Sequence, residues 1–207
     1  MLKLGEFLFK YRDYTPLPFI VVMVVFAQTD KFSLIVGGLV MILGELIRIH
    51  GVAYIGGVSR TRSHSTGQKV ITGGPFAYVR NPLYWGNLLL SGGLVLVSNV
   101  HFIFAYDFLL LFVVVFFAQY IPMVLWEESN LRSKFGQAYE TYCSQVPRWV
   151  PRITLAQTKG VEQKIAGDYQ TAIRSEKNTV TSALVVYALV LWQSGVLHQF
   201  FNLPVSE

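Results

Sequence analysis

The chain has 207 residues, of which 53% are hydrophobic and only 14% charged, and its mean hydropathy is +0.44. So apolar a composition excludes an ordinary soluble domain as the first reading and points to a membrane protein. The formal charge of +5 comes with no basic helix or aromatic ladder suited to bases, so the expected counter-surface is anionic lipid headgroups and not nucleic acid.

The first residues, "MLKLGEFLFKYRDYTPLPF", carry scattered charges and no small-residue cleavage site. They predict a short interfacial helix, not a removed signal peptide. Runs apolar enough to cross ~30 Å of hydrocarbon follow at Thr15 to Thr29, Phe32 to Ile55, Leu83 to Val97, Phe102 to Leu125 and Val180 to Phe201. The predicted fold class is therefore all-α, an integral membrane protein of about five spans. "AQTDKFS" reads as a tight turn that pairs the first two spans as an antiparallel hairpin. The second span, with "GGLVMILGELIRIHGVAYIGG", has glycines that let helices approach closely in lipid. It also carries Glu45 and Arg48, which cost energy unless they face protein or water. Both are candidate substrate contacts, with snorkelling to the interface the simpler reading for Arg48.

Residues 56 to 82 form a polar, Gly/Ser/Thr-rich loop, long enough to suggest a functional role. Beyond the fourth span, Trp126, Leu131, Phe135, Tyr139 and Tyr142 recur at helical spacing. They predict one helix that extends out of the membrane and folds back over the loop, ended by Pro147 and Pro151. Residues 1–153 thus form a four-span core with its loop and helix. Residues 154–207 add a polar segment and a further C-terminal span, expected either to close a lipid tunnel or to mediate a homodimer.

Lys3, Lys10 and Arg12, the loop from Arg48 to Arg80, and the segment from Arg132 to Lys177 fall on one side of such a topology, with only Lys31 opposite. The positive-inside rule then makes the N-terminus and the loop cytosolic in a multi-pass protein. The single cysteine, Cys143, excludes an internal disulfide and a cysteine-based metal site. His50 and His64 lack partners at ligand spacing and His101 and His198 lie on the far side, so no metal is assigned.

The stretch "GGPFAYVRNPLYWGN" interrupts this apolar pattern. Gly73, Gly74 and Pro75 give a turn that no helix makes, and Asn81-Pro82 restarts a helix with proline in its first turn. Exposed amides and the positive end of the helix dipole there favour a carboxylate or other polar group. The acidic pair Glu127-Glu128 belongs to the same face. Together they suit a ligand bearing both charges, with simple helix capping as the alternative.

"TGGPFAYVRNPLYWGN", followed one span later by "EESNLRSKFGQAYETY" and "VPRWVP", resembles the isoprenylcysteine carboxyl methyltransferase and phospholipid methyltransferase superfamily over roughly Gly44 to Pro151. The resemblance implies an integral membrane enzyme that uses S-adenosylmethionine (giving S-adenosylhomocysteine) without a Rossmann domain, consistent with the lack of a strand followed by GxGxxG. It assigns Gln68, Lys69, Val70 and Ile71 to the cofactor-contacting segment, and Phe76 to a position usually held by Tyr. Asn81, Pro82, Leu83 and Tyr84 fall with Arg80 in the Arg-His-Pro-x-Tyr motif, and Glu127 matches the cofactor-binding Glu. Asn81 replaces the usual His, and "NPLYWG" is similar to the phospholipid branch. Met123 stands near a substrate-contacting Arg of the isoprenylcysteine branch, which argues against a prenylcysteine carboxylate.

On this resemblance Glu127 would pair with the cofactor's cationic part, and Tyr84 or Phe76 would pack against its adenine or sulfonium. Arg80 would orient an acceptor carboxylate or phosphate, and Glu128 or Glu45 would take the proton of an amine acceptor. The implied reaction is methyl transfer to a lipophilic acceptor that enters from the bilayer, with membrane lipids as the other partner. Two alternatives stay open. An NADPH-dependent sterol or polyprenyl reductase of related core often has an acidic residue where Asn87 stands, and a non-enzymatic membrane subunit would bind no cofactor.

Overall fold

The computed structural model describes residues 1–55, 70–154, 156 and 167–196. Among them it contains seven α-helices and no strand: α1 (Leu2–Tyr11), α2 (Leu17–Phe26), α3 (Lys31–Ile55), α4 (Pro82–Ser98), α5 (Asp107–Phe135), α6 (Gln137–Gln145) and α7 (Tyr169–Gln193), with a short 3₁₀ turn at Gly74–Ala77. The 25 residues of α3 extend about 37 Å at ~1.5 Å per residue, and α5 is longer still. These two are long and apolar enough to cross a membrane, whereas α2 and α4 are shorter apolar helices. The expected fifth span is the second half of α7, and its end, 197–201, lies outside the described residues.

Helices α3 and α4 form the closest pair, and glycine makes that possible. A Cβ on Gly37 would meet the backbone of Val97 at 2.6 Å and the carbonyl of Gly93 at 2.7 Å, and a Cβ on Gly93 would return to the Gly37 carbonyl at 2.7 Å. Seven residues along each helix, Gly44 and Gly86 repeat this reciprocal contact. Removing side chains from one stripe lets two helix backbones touch. The opposite stripe of α3, with Phe32, Ile35, Leu39, Ile42 and Leu46, is exposed, as expected of a face that meets lipid. Between α4 and α5 the interior is aromatic and branched: Phe108, Phe112, Phe116, Leu94 and Val97 pack with Met41.

Two expectations change, and a third element is placed. The first two predicted spans do not pair as a hairpin; α2 packs on α7 and α4, because its backbone leads back to the far end of α4, where Gln28 N–H donates to the Ser98 carbonyl at 2.8 Å. The helix after the fourth span is two helices, since Gly136 adopts φ +51 and ψ −128, a combination open to glycine. The polar segment before the fifth span enters the bundle within α7: Ala172 and Glu176 are buried, and α7 packs on α2, α3 and α4. The C-terminal ends of α3 and α5 and the N-terminal ends of α4 and α7 meet at one end of the bundle. There Asp168 N–H donates to the Ala53 carbonyl at 2.9 Å, and Arg80, at the entry to α4, reaches Glu128 of α5.

Candidate active site

The interrupted stretch builds one wall of this end. Gly74 sits at φ +58, and a Cβ there would strike the ring of Tyr54 at about 2.5 Å, so glycine is needed both for the backbone and for the close approach. Pro75 opens the 3₁₀ turn, Tyr78 N–H returns to the Pro75 carbonyl at 3.1 Å, and α4 begins at Pro82 after Asn81. Asn81 does not cap α4 through its side chain. Its amide donates instead to the Arg148 carbonyl at 3.1 Å.

Residues 147–154, with Ala156, run along this wall as a strap. The Pro147 carbonyl accepts from Arg80 N–H at 2.9 Å, and the Trp149 carbonyl from the Trp85 indole at 2.7 Å. Arg152 N–H donates to Tyr78 and Ala156 N–H to Ala77. Beneath the turn, Tyr142 donates from its hydroxyl to the Phe76 carbonyl at 2.8 Å, and Val70 packs with Tyr139, Tyr142 and Val146. Burial raises both tyrosine hydroxyls well above the ordinary phenolic pKa, so they remain donors.

Glu128 is 2% exposed and is held by guanidinium groups. Arg148 makes a two-pronged contact, Nε to Oε1 at 3.0 Å and Nη2 to Oε2 at 2.8 Å. That hydrogen bonding raises the Arg148 pKa above its ordinary value. Arg80 Nη1 reaches Oε2 at 3.3 Å and Arg132 Nη1 lies at 3.8 Å. Arg80 Nη1 also lies 2.8 Å from Cys143 Sγ. Arg80 Nε is buried and meets no acceptor, and the same is true of Thr72 Oγ1 in the turn and Asn130 Nδ2 in α5. A buried donor left unsatisfied costs about 1–3 kcal/mol, which makes Arg80 Nε beside Glu128 receptive to an added acceptor.

The other acid of the pair points elsewhere. Tyr84, in the first turns of α4, donates its hydroxyl to Glu127 of α5. The Tyr84 ring meets Tyr120 edge-on, with centroids 4.9 Å apart. Asn87 Nδ2 lies 3.4 Å from the Tyr120 hydroxyl, and its Oδ1 accepts from Arg48 Nη1. Arg48 continues to Glu176 of α7, Nη2 to Oε2 at 2.6 Å, and its Nε stands 3.7 Å from Glu45. A polar track therefore runs from Glu127 through four helices to Glu176.

The residues singled out from the sequence separate into these groups. Arg80 and Glu128 are in contact, Tyr84 and Glu127 are in contact, and Glu45 and Arg48 form the far end of the track. Val70 and Phe76 are buried in the wall and Ile71 is half-buried beside them, while Leu83 packs against α3 beside Val52 and Ala53. Gln68 and Lys69 lie outside the described residues. Sequence reasoning missed Arg148 and Glu176, the two partners that neutralise the charges it had found. The Pro-Arg-Trp run in "VPRWVP" was the available signal for the first. An acid amid the polar start of a predicted span was the signal for the second.

An open, almost wholly apolar groove of about 370 Å³ adjoins the wall, between Ile47 and His50 of α3, Tyr78 and Pro151, and Trp85 and Leu89 of α4. Its lining suits hydrocarbon.

A family model described as phospholipid methyltransferase matches residues 32–138. No curated protein and no solved structure matches the chain. The matched stretch includes α3, α4, α5 and the glycine turn, together with Arg80, Tyr84, Glu127 and Glu128.

Proposed function

The chain belongs to the phospholipid methyltransferase family, and from that premise we propose that it moves a methyl group from S-adenosylmethionine to a lipophilic acceptor, a phospholipid amine or a prenyl-type lipid. The reaction takes place at the cytosolic membrane interface of a multi-pass protein. The observation that carries this reading is the joining of the glycine turn to the acidic pair of α5, with Arg80 on Glu128 and Tyr84 on Glu127.

The residues fit the zwitterionic cofactor. Its ammonium needs a carboxylate, which Glu127 offers, and its carboxylate needs donors, one of which the buried Arg80 Nε has to spare. When bound, S-adenosylmethionine supplies an electrophilic methyl group on a sulfonium. The protein contributes alignment, since an in-line displacement gains most from holding nucleophile and methyl close together. Tyr84 fixes Glu127 with its hydroxyl and keeps a ring face for stacking. Arg80 orients an oxyanion of the acceptor, and the apolar groove receives the acceptor's chain. Glu128 spends both oxygens on guanidinium donors, so Glu45 is the carboxylate proposed to take the proton of an amine acceptor.

The test is to incubate the purified protein in liposomes containing phosphatidylethanolamine, and separately a prenyl-type lipid, with methyl-labelled S-adenosylmethionine. Label in the organic phase, lost in Glu127→Ala, is the expected result. No transfer to any lipid class would refute the proposal.

A further inference from the structure

The family match ends at residue 138, yet the strap that follows supplies the best-bonded partner of Glu128. Consecutive carbonyls of Pro147, Arg148 and Trp149 are taken by Arg80 N–H, the Asn81 amide and the Trp85 indole. This fixes the backbone of Arg148 beside that of Arg80. Both side chains then compete for one buried carboxylate. Arg148 meets both of its oxygens at 3.0 and 2.8 Å, while Arg80 reaches one oxygen with one nitrogen at 3.3 Å. The consequence is that Arg80 keeps its Nε–H unspent in a buried position.

We infer that Arg148 is a positioning residue: it saturates Glu128 and so keeps Arg80 free to bind an oxyanion of the ligand, a carboxylate or a phosphodiester. The inference deepens the methyltransferase reading and rests on it for the ligand classes. Without Arg148, Glu128 Oε1 loses its donor, and Arg80, already in contact with Oε2 at 3.3 Å, turns onto the carboxylate. The guanidinium is then withdrawn from the ligand. If Glu128 is also neutralised, nothing draws Arg80 away and its availability returns. A purely structural clamp behaves otherwise, because a second lesion in the same cluster adds damage.

Calorimetric titration in detergent decides between them. The proteins are the full-length chain, Arg148→Met, and the double variant Glu128→Gln/Arg148→Met, with thermal melts to establish folding. The ligands are S-adenosylhomocysteine, its decarboxylated analogue, and dihexanoylphosphatidylethanolamine. Arg148→Met should weaken the oxyanion-bearing ligand by about tenfold, the worth of one charge-assisted contact, and leave the decarboxylated analogue unchanged. The double variant should recover to within about threefold. Loss and rescue on S-adenosylhomocysteine assign the oxyanion to the cofactor, and loss and rescue on the phospholipid assign it to the acceptor. No loss on either ligand, or a double variant weaker than the single one, overturns the inference. Failure of the unmodified protein to bind S-adenosylhomocysteine refutes the methyltransferase reading, while the phospholipid titration still decides the role of Arg148.

Discussion

Gly37 and Gly38 are neighbours on α3, and alanine at the two should act in opposite directions. At Gly37 the added Cβ meets Val97 N at 2.6 Å and Gly93 O at 2.7 Å, whereas at Gly38 nothing lies within 4 Å. Carbon contacts relax only near ~3.5 Å, so α3 and α4 must part by roughly 0.8 Å, and because the obstacles are backbone no rotamer relieves them. Such a gap forfeits about a quarter to a half of the affected dispersion energy, and overpacking of this kind costs about 1–3 kcal/mol. Alanine gains back up to ~1 kcal/mol in helix propensity at either site. Gly37→Ala should therefore be net destabilising and Gly38→Ala neutral or stabilising, with a separation of about 1–3 kcal/mol, since the propensity gain is common to both. Equilibrium unfolding of both variants in mixed micelles, titrated with a denaturing detergent, measures the difference. Equal stability of the two variants would refute the glycine-mediated approach of α3 and α4.

Two further outcomes follow from the polar track. Tyr84→Phe removes the hydroxyl that donates to Glu127 and should weaken S-adenosylhomocysteine binding by about tenfold, the loss of ~1.4 kcal/mol, with little change in the melting curve; unchanged affinity would separate Tyr84 from the cofactor. Glu176 is 1% exposed and accepts from Arg48, so Glu176→Leu should destabilise by about 3–5 kcal/mol. Arg48→Met/Glu176→Leu should recover most of that in the same unfolding assay, and a double variant no better than the single one would show that the pair is not coupled.

The turn and the helix restart were legible because glycine and proline have local meanings: Gly73-Gly74-Pro75 cannot continue a helix and Asn81-Pro82 can begin one. The break at Gly136 was hidden because Leu131, Phe135, Tyr139 and Tyr142 keep helical spacing across it, and periodicity reports the face a side chain occupies but not the continuity of the axis. The pairing of α2 with α7 in place of α3 was also out of reach. A short polar connection between apolar runs suggests adjacency, but which helices touch depends on packing far along the chain. Arg148 and Glu176 illustrate the same limit for the site, since their partners Glu128 and Arg48 are 20 and 128 residues away. A charge read alone looks solvated, and only the fold shows what neutralises it.

The proposed function requires that this end of the bundle hold S-adenosylmethionine through Glu127. Titrating the detergent-purified protein with S-adenosylhomocysteine and, in parallel, NADPH, and repeating both on Glu127→Ala, tests it most directly. Saturable binding of S-adenosylhomocysteine alone, abolished in the variant, is the expected result. Binding of NADPH alone, or of neither ligand, would contradict it.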